Sequence, residues 1–426
     1  MEGGRISYVG PRNSAPAAEH VVQLGNAFLL PGLINAHTHL ELTVMRGYLE
    51  GGPFRQWILR LTSARTQVLD ETALLASARL GIAEGLLVGV TTFADTSASG
   101  VVLDAMTQMN VRGISYQEVF GPDPAQCDAS MTELRSRIAL LSSRASSLVR
   151  LGLSPHAPYT VSDDLYRAVA RFAGEQKLPM AVHIAESREE TAFVAEGDGP
   201  FADSWRSRGI AVAPRASTSI ALLEATGVLA ARPLLIHCVQ VTPADIAKIM
   251  ETRCPVAHCP ASNAKLGHGV APLTSLIAAG VPVGLGSDSV ASSNQMDLVA
   301  EARLAVLLAR ANAQRIELDA NHALSLVTIG GARALGIDGE TGSLEVGKSA
   351  DLAAFRSEPT GDEPVYDPAA ALVFGAAGRR ALLVCVEGKE LVRDGRLLVS
   401  LEGDLSAVIA AAERLARLQP TSESRG

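Results

Sequence analysis

Pro31-Gly32-Leu33-Ile34-Asn35-Ala36-His37-Thr38-His39-Leu40-Glu41-Leu42 is the stretch on which the reading of this chain turns. From Phe28 to Ile34 the sequence is apolar apart from Pro31 and Gly32, and it runs directly into His37-x-His39. Alternate residues of an extended chain face the same side. A strand ending here therefore projects both imidazoles together, at a spacing that suits two ligands on one zinc-type ion.

Working outward, 426 residues exceed a typical single domain unless that domain is a barrel. Hydrophobic residues make up 47% and aromatics only 4%, so the core must be built from Ala, Val, Leu and Ile. A net charge of −8 without any Lys/Arg block argues against nucleic acid or an anionic membrane as main partner. Apolar runs are broken by charge, Gly or Pro well before the ~18 residues that span a bilayer. The N-terminus carries no basic-then-apolar leader pattern. Five scattered cysteines without a C-x-x-C pair speak against a disulfide framework, and a reducing cytoplasm is the expected compartment.

From about residue 33 to 335, apolar runs alternate with Ala-rich helical stretches, the pattern of β/α units around a parallel sheet. Candidate strands are 33–37, 90–95, 113–118, 150–155, 180–183, 233–237, 255–258 and 281–286. Eight such units predict an α/β fold of the (β/α)8 TIM-type barrel class, with its active site at the C-terminal strand ends. The competing doubly wound sheet lacks a Gly-x-Gly-x-x-Gly or a Walker loop. Short strands at 5–9 and 21–30, and again between 342 and 395, predict a small β-sandwich-like domain assembled from both termini. The expected division is residues 1–30 plus 340–400 for that unit, 31–339 for the barrel, and 401–426 for a C-terminal helix and tail. Two long connections, 42–71 and 187–220, follow strands that end in histidine and are expected to shape a substrate pocket.

The polar residues at the ends of the apolar runs form a set: His37 and His39, His156, His183, His237, His258 and Asp288. Six of the nine histidines fall at or just past predicted strand ends. A lone histidine there is ordinarily a hydrogen-bonded structural residue; six at one relative position call for a common cause. In a barrel these ends meet at one mouth, where imidazoles and a carboxylate make a catalytic metal site. His156, rather than a lysine, ends the fourth strand, so no carbamylated lysine is available and one divalent metal is expected. Zn²⁺ is the leading candidate and Fe²⁺ the alternative, since His/carboxylate ligation does not separate them by affinity alone. Such an ion lowers the pKa of water towards ~7. Asp288 can then take a proton from it, His237 can orient it or steady a tetrahedral intermediate, and Glu186, three residues past His183, can carry protons to a ring nitrogen. That division of labour is the logic of nucleobase deamination.

The motifs PGLINAHTHLEL (31–42), SPHAPYTVS (154–162), HIAE (183–186), LIHC (235–238), VAHCPASNAKL (256–266) and GLGSDSVASSNQMDL (284–298) resemble the amidohydrolase superfamily, in the aminohydrolase branch that holds adenosine-type and guanine deaminases. The resemblance implies His37, His39, His183 and Asp288 as metal ligands, His237 as the residue meeting the activated water, Glu186 as proton shuttle and His156 as a substrate contact. LGLSPHAPYTVS (151–162), HIAESREETAFVAEGDGPF (183–201) and TGVLAARPLLIHCVQVTPADIA (226–247) are closest to the deaminases of aminodeoxyfutalosine, an adenine nucleoside with a 5′-side benzoate on the futalosine route to menaquinone. By that likeness Glu118 meets ribose hydroxyls and Trp57 covers the ligand; the benzoate needs a cation or donors, and Arg46, Arg55 and Arg188 lie on loops at the expected mouth. The implied partner is a small nucleoside, with S-adenosylhomocysteine, methylthioadenosine, adenosine or guanine as alternatives; homo-oligomerisation is left open. Hydrolysis of a ring amide or loss of chloride on the same scaffold is a further alternative. His258 and Asn263 belong to a motif to which the sequence assigns no role.

Overall fold

The structure is a computed structural model that describes residues 1–418. The predicted tail at 420–426 lies outside the described residues. The chain opens with β1 (Ala27–Pro31), after a largely exposed segment. Eight strands follow: β2 (Leu33–Thr38), β3 (Val90–Ser97), β4 (Arg112–Val119), β5 (Val149–Pro155), β6 (Ala181–Ile184), β7 (Leu234–His237), β8 (Val256–His258) and β9 (Val283–Leu285). They pair in parallel as β2-β3-β4-β5 and β6-β7-β8-β9. Single parallel bridges, Leu153 to Met180 and Thr38 to Asp288, join the two sets at both edges. From β3 to β9 each strand follows its predecessor through helix, an α/β arrangement consistent with a (β/α)8 barrel. Parallel strands covered on both faces should read as continuous apolar runs, and β2 and β3 are buried at every residue. Ile34, Ala94, Ile114, Ala181, Ile236 and Ala257, from six different strands, pack into a cluster of their own.

Helix starts follow the sequence: Asp70, Ser162 and Thr242 each accept a backbone N–H from the first turn of the helix that follows. The helix Cys127–Ser142 stops where a serine-rich run offers the backbone competing hydrogen bonds. The connection 42–71 folds into a short turn and the helix Phe54–Val68, and 187–220 contains the helices Arg188–Glu196 and Pro200–Ser207.

The terminal strands form one five-stranded antiparallel sheet, β1-β10-β11-β12-β13, with β10 (Leu352–Arg356), β11 (Leu383–Val386), β12 (Lys389–Arg393) and β13 (Arg396–Leu397). The second layer that a sandwich needs is represented among the described residues only by the bridges Glu2–Arg5 and Arg5–Ser349. The expected strand at 5–9 does not form, and of 21–30 only the end from Ala27 does. Val21 and Val22 are exposed, so the segment buries too little apolar surface to hold an extended partner.

One buried ion pair ties this sheet to the barrel. Arg112, at the start of β4, donates from Nε to Asp351 Oδ2 at 2.7 Å and from Nη2 to Ser349 Oγ at 2.8 Å. Asp351 also accepts from Ser349 Oγ at 2.6 Å and from the Glu387 N–H at 2.9 Å. Removing one partner strands a buried charge, which costs about 3–5 kcal/mol. Asp351→Ala should therefore lower the urea midpoint sharply, whereas Arg112→Met combined with Asp351→Leu should recover most of the loss. Equal destabilisation by the single and the double variant would contradict this account.

Candidate active site

The C-terminal ends of β2, β6 and β9 bring His37, His39, His183 and Asp288 together. Asp288 donates its N–H to the His37 carbonyl at 2.9 Å, so the last strand end is tied to the first. His37 Nε2 lies 3.2 Å and His39 Nε2 3.6 Å from Asp288 Oδ1. His183 Nε2 is 3.3 Å from His39 Nε2. Two imidazole nitrogens sharing one ion at about 2.1 Å with a tetrahedral angle stand about 3.4 Å apart, so the spacing fits a common cation. The wider donor set fits too: one atom each from His37, His39 and His183 lies within 4.8 Å of the others, and the same holds for His37, His237 and Asp288. His37 Nε2 is buried without a well-formed hydrogen bond.

The ring orientations leave lone pairs facing inward. His183 Nδ1 meets the His156 carbonyl at 3.2 Å, and His39 Nδ1 meets Thr96 Oγ1 at 3.4 Å, which leaves each Nε2 for a ligand. Burial lowers His37 to about 4 and pushes His39 and His183 down as well, so all three are neutral near pH 7. Burial works the other way on Asp288, but His37 and the neighbouring imidazoles outweigh it and hold the carboxyl well below the usual carboxylate range. Neutral imidazoles around an ionised carboxylate are the donors a divalent cation takes.

Opposite this cluster stands Glu186, 4% exposed. Its Oε1 lies 3.6 Å from His237 Nε2 and 3.3 Å from His268 Nε2. Burial would raise its pKa, yet the two imidazoles overcome that and leave it lowered. The turn that presents it is held by Glu190, which accepts the Ala185 N–H at 2.7 Å and the Glu186 N–H at 3.0 Å. Ala185, His237, Cys238 and Asp288 all adopt positive φ, 51°, 76°, 48° and 59°. Such strain in residues other than glycine gathers where surrounding contacts enforce an orientation.

These groups open into a cavity of about 340 Å³. Wider surface grooves, of about 610 Å³ beside Arg135 and Arg171 and about 720 Å³ beside Phe28 and Leu372, hold none of the imidazoles. His156, Glu118 and Trp57 all line the cavity, with Phe54, Ile58 and Leu61 completing an apolar wall from the helix Phe54–Val68. His156 Nδ1 bonds Thr160 Oγ1 at 2.8 Å. Glu118 has its Oε1 buried without a partner, and burial, then Glu41 and Asp95, push its pKa up to about 8.

Arg188 does not come to this cavity. It is the first residue of its helix, with the side chain exposed. Arg46 is engaged by Glu84 and the Asn294 carbonyl, and Arg55 by Ser204 Oγ at 2.6 Å. Arg65 is the guanidinium that lines the cavity, and Glu41 holds it at 2.6 Å. Sequence reasoning also passed over His268, Glu190 and Asp95. Asp95 accepts the Leu40 N–H at 2.6 Å and so fixes the chain beyond His39. Its signal was a carboxylate closing the expected strand 90–95; His268 and Glu190 follow no apolar run and gave none.

A Cβ on Gly286 would sit 2.8 Å from His37 Cβ and 2.9 Å from His37 N. The chain after β9 thus approaches His37 as only glycine permits. Gly286→Ala should displace His37 and leave the purified protein with less than about half the divalent metal of the wild type by mass spectrometry. Full metal content in that variant would show the approach to be dispensable.

The amidohydrolase family model matches residues 28–391. The chain is 34% identical over 401 residues to a 5-methylthioadenosine/S-adenosylhomocysteine deaminase of Moorella thermoacetica, covering 92% of this chain and 89% of the relative. It is 32% identical over 415 residues to a 5'-deoxyadenosine deaminase of Methanothermobacter thermautotrophicus, covering 97% and 93%. Among solved structures, an adenosine deaminase from Xanthomonas campestris with bound zinc superposes with a TM-score of 0.80 at 29% identity, covering 92% of this chain and 86% of that one. An atrazine chlorohydrolase from Arthrobacter aurescens TC1 complexed with zinc does so with 0.84 at 25%, covering 97% and 94%. With the match running from β1 to β12 and through every motif of the cluster, the chain belongs to the amidohydrolase family.

Proposed function

We propose that this protein is a mononuclear metal-dependent aminohydrolase that replaces the C6 amine of an adenine nucleoside with oxygen, releasing ammonia and an inosine-type product. The observation that carries the proposal is Glu186, an ionised carboxylate beside two imidazoles, facing the His37/His39/His183/Asp288 cluster across one cavity. Relatives over nearly the whole chain that are named as deaminases of adenine nucleosides support it. His37, His39, His183 and Asp288 would hold a divalent ion, zinc foremost, which when bound would lower the pKa of water from ~15.7 towards ~7.

The chain's own groups do the rest. Glu186, ionised at rest, takes the first proton of the attacking water and places it on N1 of the purine, which makes C6 electrophilic. Asp288 accepts the second proton from the oxygen once it is bonded to C6, and that proton reaches the departing amine by way of Glu186. Water and the nucleoside thus become ammonia and the C6 oxo product, with both carboxylates returned to their ionised form. His237 lies within 3.6 Å of Glu186, close enough to steady the tetrahedral centre between them. The apolar wall of Phe54, Trp57, Ile58 and Leu61 covers the purine face and excludes water. His156 and Glu118 supply the polar contacts beyond it, Glu118 with an oxygen free for a ribose hydroxyl.

Aminodeoxyfutalosine is our leading substrate, on the strength of the motifs at 151–162, 183–201 and 226–247. Its carboxylate would meet Arg65 in competition with Glu41. A panel of aminodeoxyfutalosine, methylthioadenosine, S-adenosylhomocysteine, 5′-deoxyadenosine and adenosine, followed by absorbance near 265 nm and by ammonia release, tests the reading. Activity on none of them would defeat it. Highest kcat/KM on a nucleoside with a neutral 5′ group would keep the chemistry and remove aminodeoxyfutalosine. Glu186→Gln should lower kcat about 10²- to 10⁴-fold with zinc retained. Chelation should abolish turnover, and added zinc should restore it.

A further inference from the structure

The motif around Asn263, left without a role by the sequence, stands behind two residues of the site at once. Pro260–Lys265 is a six-residue helical turn just past β8. Ser262 Oγ donates to Asp288 Oδ2 at 2.5 Å, with Ser292 Oγ 2.9 Å away. The next residue, Asn263, presents Oδ1 to His237 Nδ1 at 2.9 Å. Both side chains are 1% exposed. Serine and asparagine weaken a helix interior, and buried polar groups cost stability unless bonded. Their place here is explained by what they hold.

The turn is itself anchored from behind. Glu301, fully buried on the helix Leu298–Ala313, accepts the Ala261 N–H at 3.1 Å. On the opposite side, the Asn263 N–H donates to the Cys259 carbonyl at 3.0 Å. A side chain pinned at both ends of so short a segment has little freedom to drift.

We infer that the 260–265 turn is the positioning element of the site: Asn263 keeps His237 in its Nδ1–H form, so that Nε2 offers a lone pair to the cavity, while Ser262 holds Asp288 Oδ2 and so turns Oδ1, which also accepts the Ser289 N–H at 2.7 Å, toward the imidazoles. The inference rests on the reading of His237 and Asp288 as parts of the catalytic site. An asparagine oxygen only accepts, so a neutral His237 facing it carries its hydrogen on Nδ1. Nε2, 3.6 Å from Glu186 Oε1, is then an acceptor beside an acceptor. A hydrogen shared between them, from water or from a protonated Glu186, completes the pair. On Asp288 the two oxygens differ: Oδ2 faces Ser262 and Ser292, and Oδ1 accepts the Ser289 N–H at 2.7 Å and faces His37 and His39.

The test uses the full-length zinc protein labelled with ¹⁵N-histidine, with the His237 signals identified by their loss in His237→Gln. In the wild type the Nδ1 shift should be that of a protonated nitrogen and the Nε2 shift that of a bare one. Asn263→Leu should move the hydrogen to Nε2 and lower kcat about 10- to 100-fold, with KM within about threefold and zinc content unchanged. Asn263→Asp, which keeps an accepting oxygen, should preserve the Nδ1–H form and most of kcat. A wild-type His237 carrying its hydrogen on Nε2 would overturn the inference, as would wild-type kcat in Asn263→Leu or a loss traceable wholly to missing zinc. If Asn263→Leu does not fold, the wild-type spectrum and Asn263→Asp still decide. The tautomer is read without any substrate, so a protein that deaminates no adenine nucleoside would not blur the answer.

Discussion

The structure depends on one electrostatic constraint: neutral imidazoles and an ionised carboxylate, drawn from the ends of β2, β6 and β9, are buried within hydrogen-bond range of each other. Such a set is expensive to desolvate unless its lone pairs find a partner. The amide and hydroxyl contacts behind it, at His183, His39 and Asp288, fix orientation, while His37 Nε2 stays without a well-formed hydrogen bond. A divalent cation would satisfy the inward atoms together, and would account for so much polarity at one mouth of a barrel rich in Ala and Val.

Around this centre the backbone itself is bent to purpose. Left-handed conformations at Ala185, His237, Cys238 and Asp288 end three strands abruptly, so each functional side chain turns across the opening instead of continuing along its strand. The supports come from residues of no chemistry of their own: Glu190 under Glu186, Asp95 under the turn after His39, and Gly286 against His37. Each acts through main-chain hydrogen bonds or through absence of a side chain, and each is buried or enclosed.

That difference explains what could be read in the sequence. His37, His39, His183, His237 and Asp288 were legible because each closes an apolar run, and strand ends in a barrel converge; Trp57 was legible from its place in the first long connection. The family resemblance at 31–42 and 284–298 is borne out across the chain. His268 and Glu190 were not legible, since neither follows a run that fixes its direction. Arg188 was named from its place in the connection at 187–220, yet a helix starts there and its side chain is exposed. The strand at 5–9 was over-read: alternation alone cannot hold a segment extended when no sheet edge offers it a continuous partner.

The antiparallel pairing of Ala27–Pro31 with Leu352–Arg356 has a bearing on how the polypeptide acquires its shape. During synthesis β1 emerges more than three hundred residues before the strand that accepts it, and Thr38 waits almost as long for Asp288. Contacts so distant in sequence slow folding, and the nascent chain must carry an unpaired apolar edge meanwhile. Ribosome-bound intermediates that end before residue 352 should therefore be the species that lean on holdase chaperones.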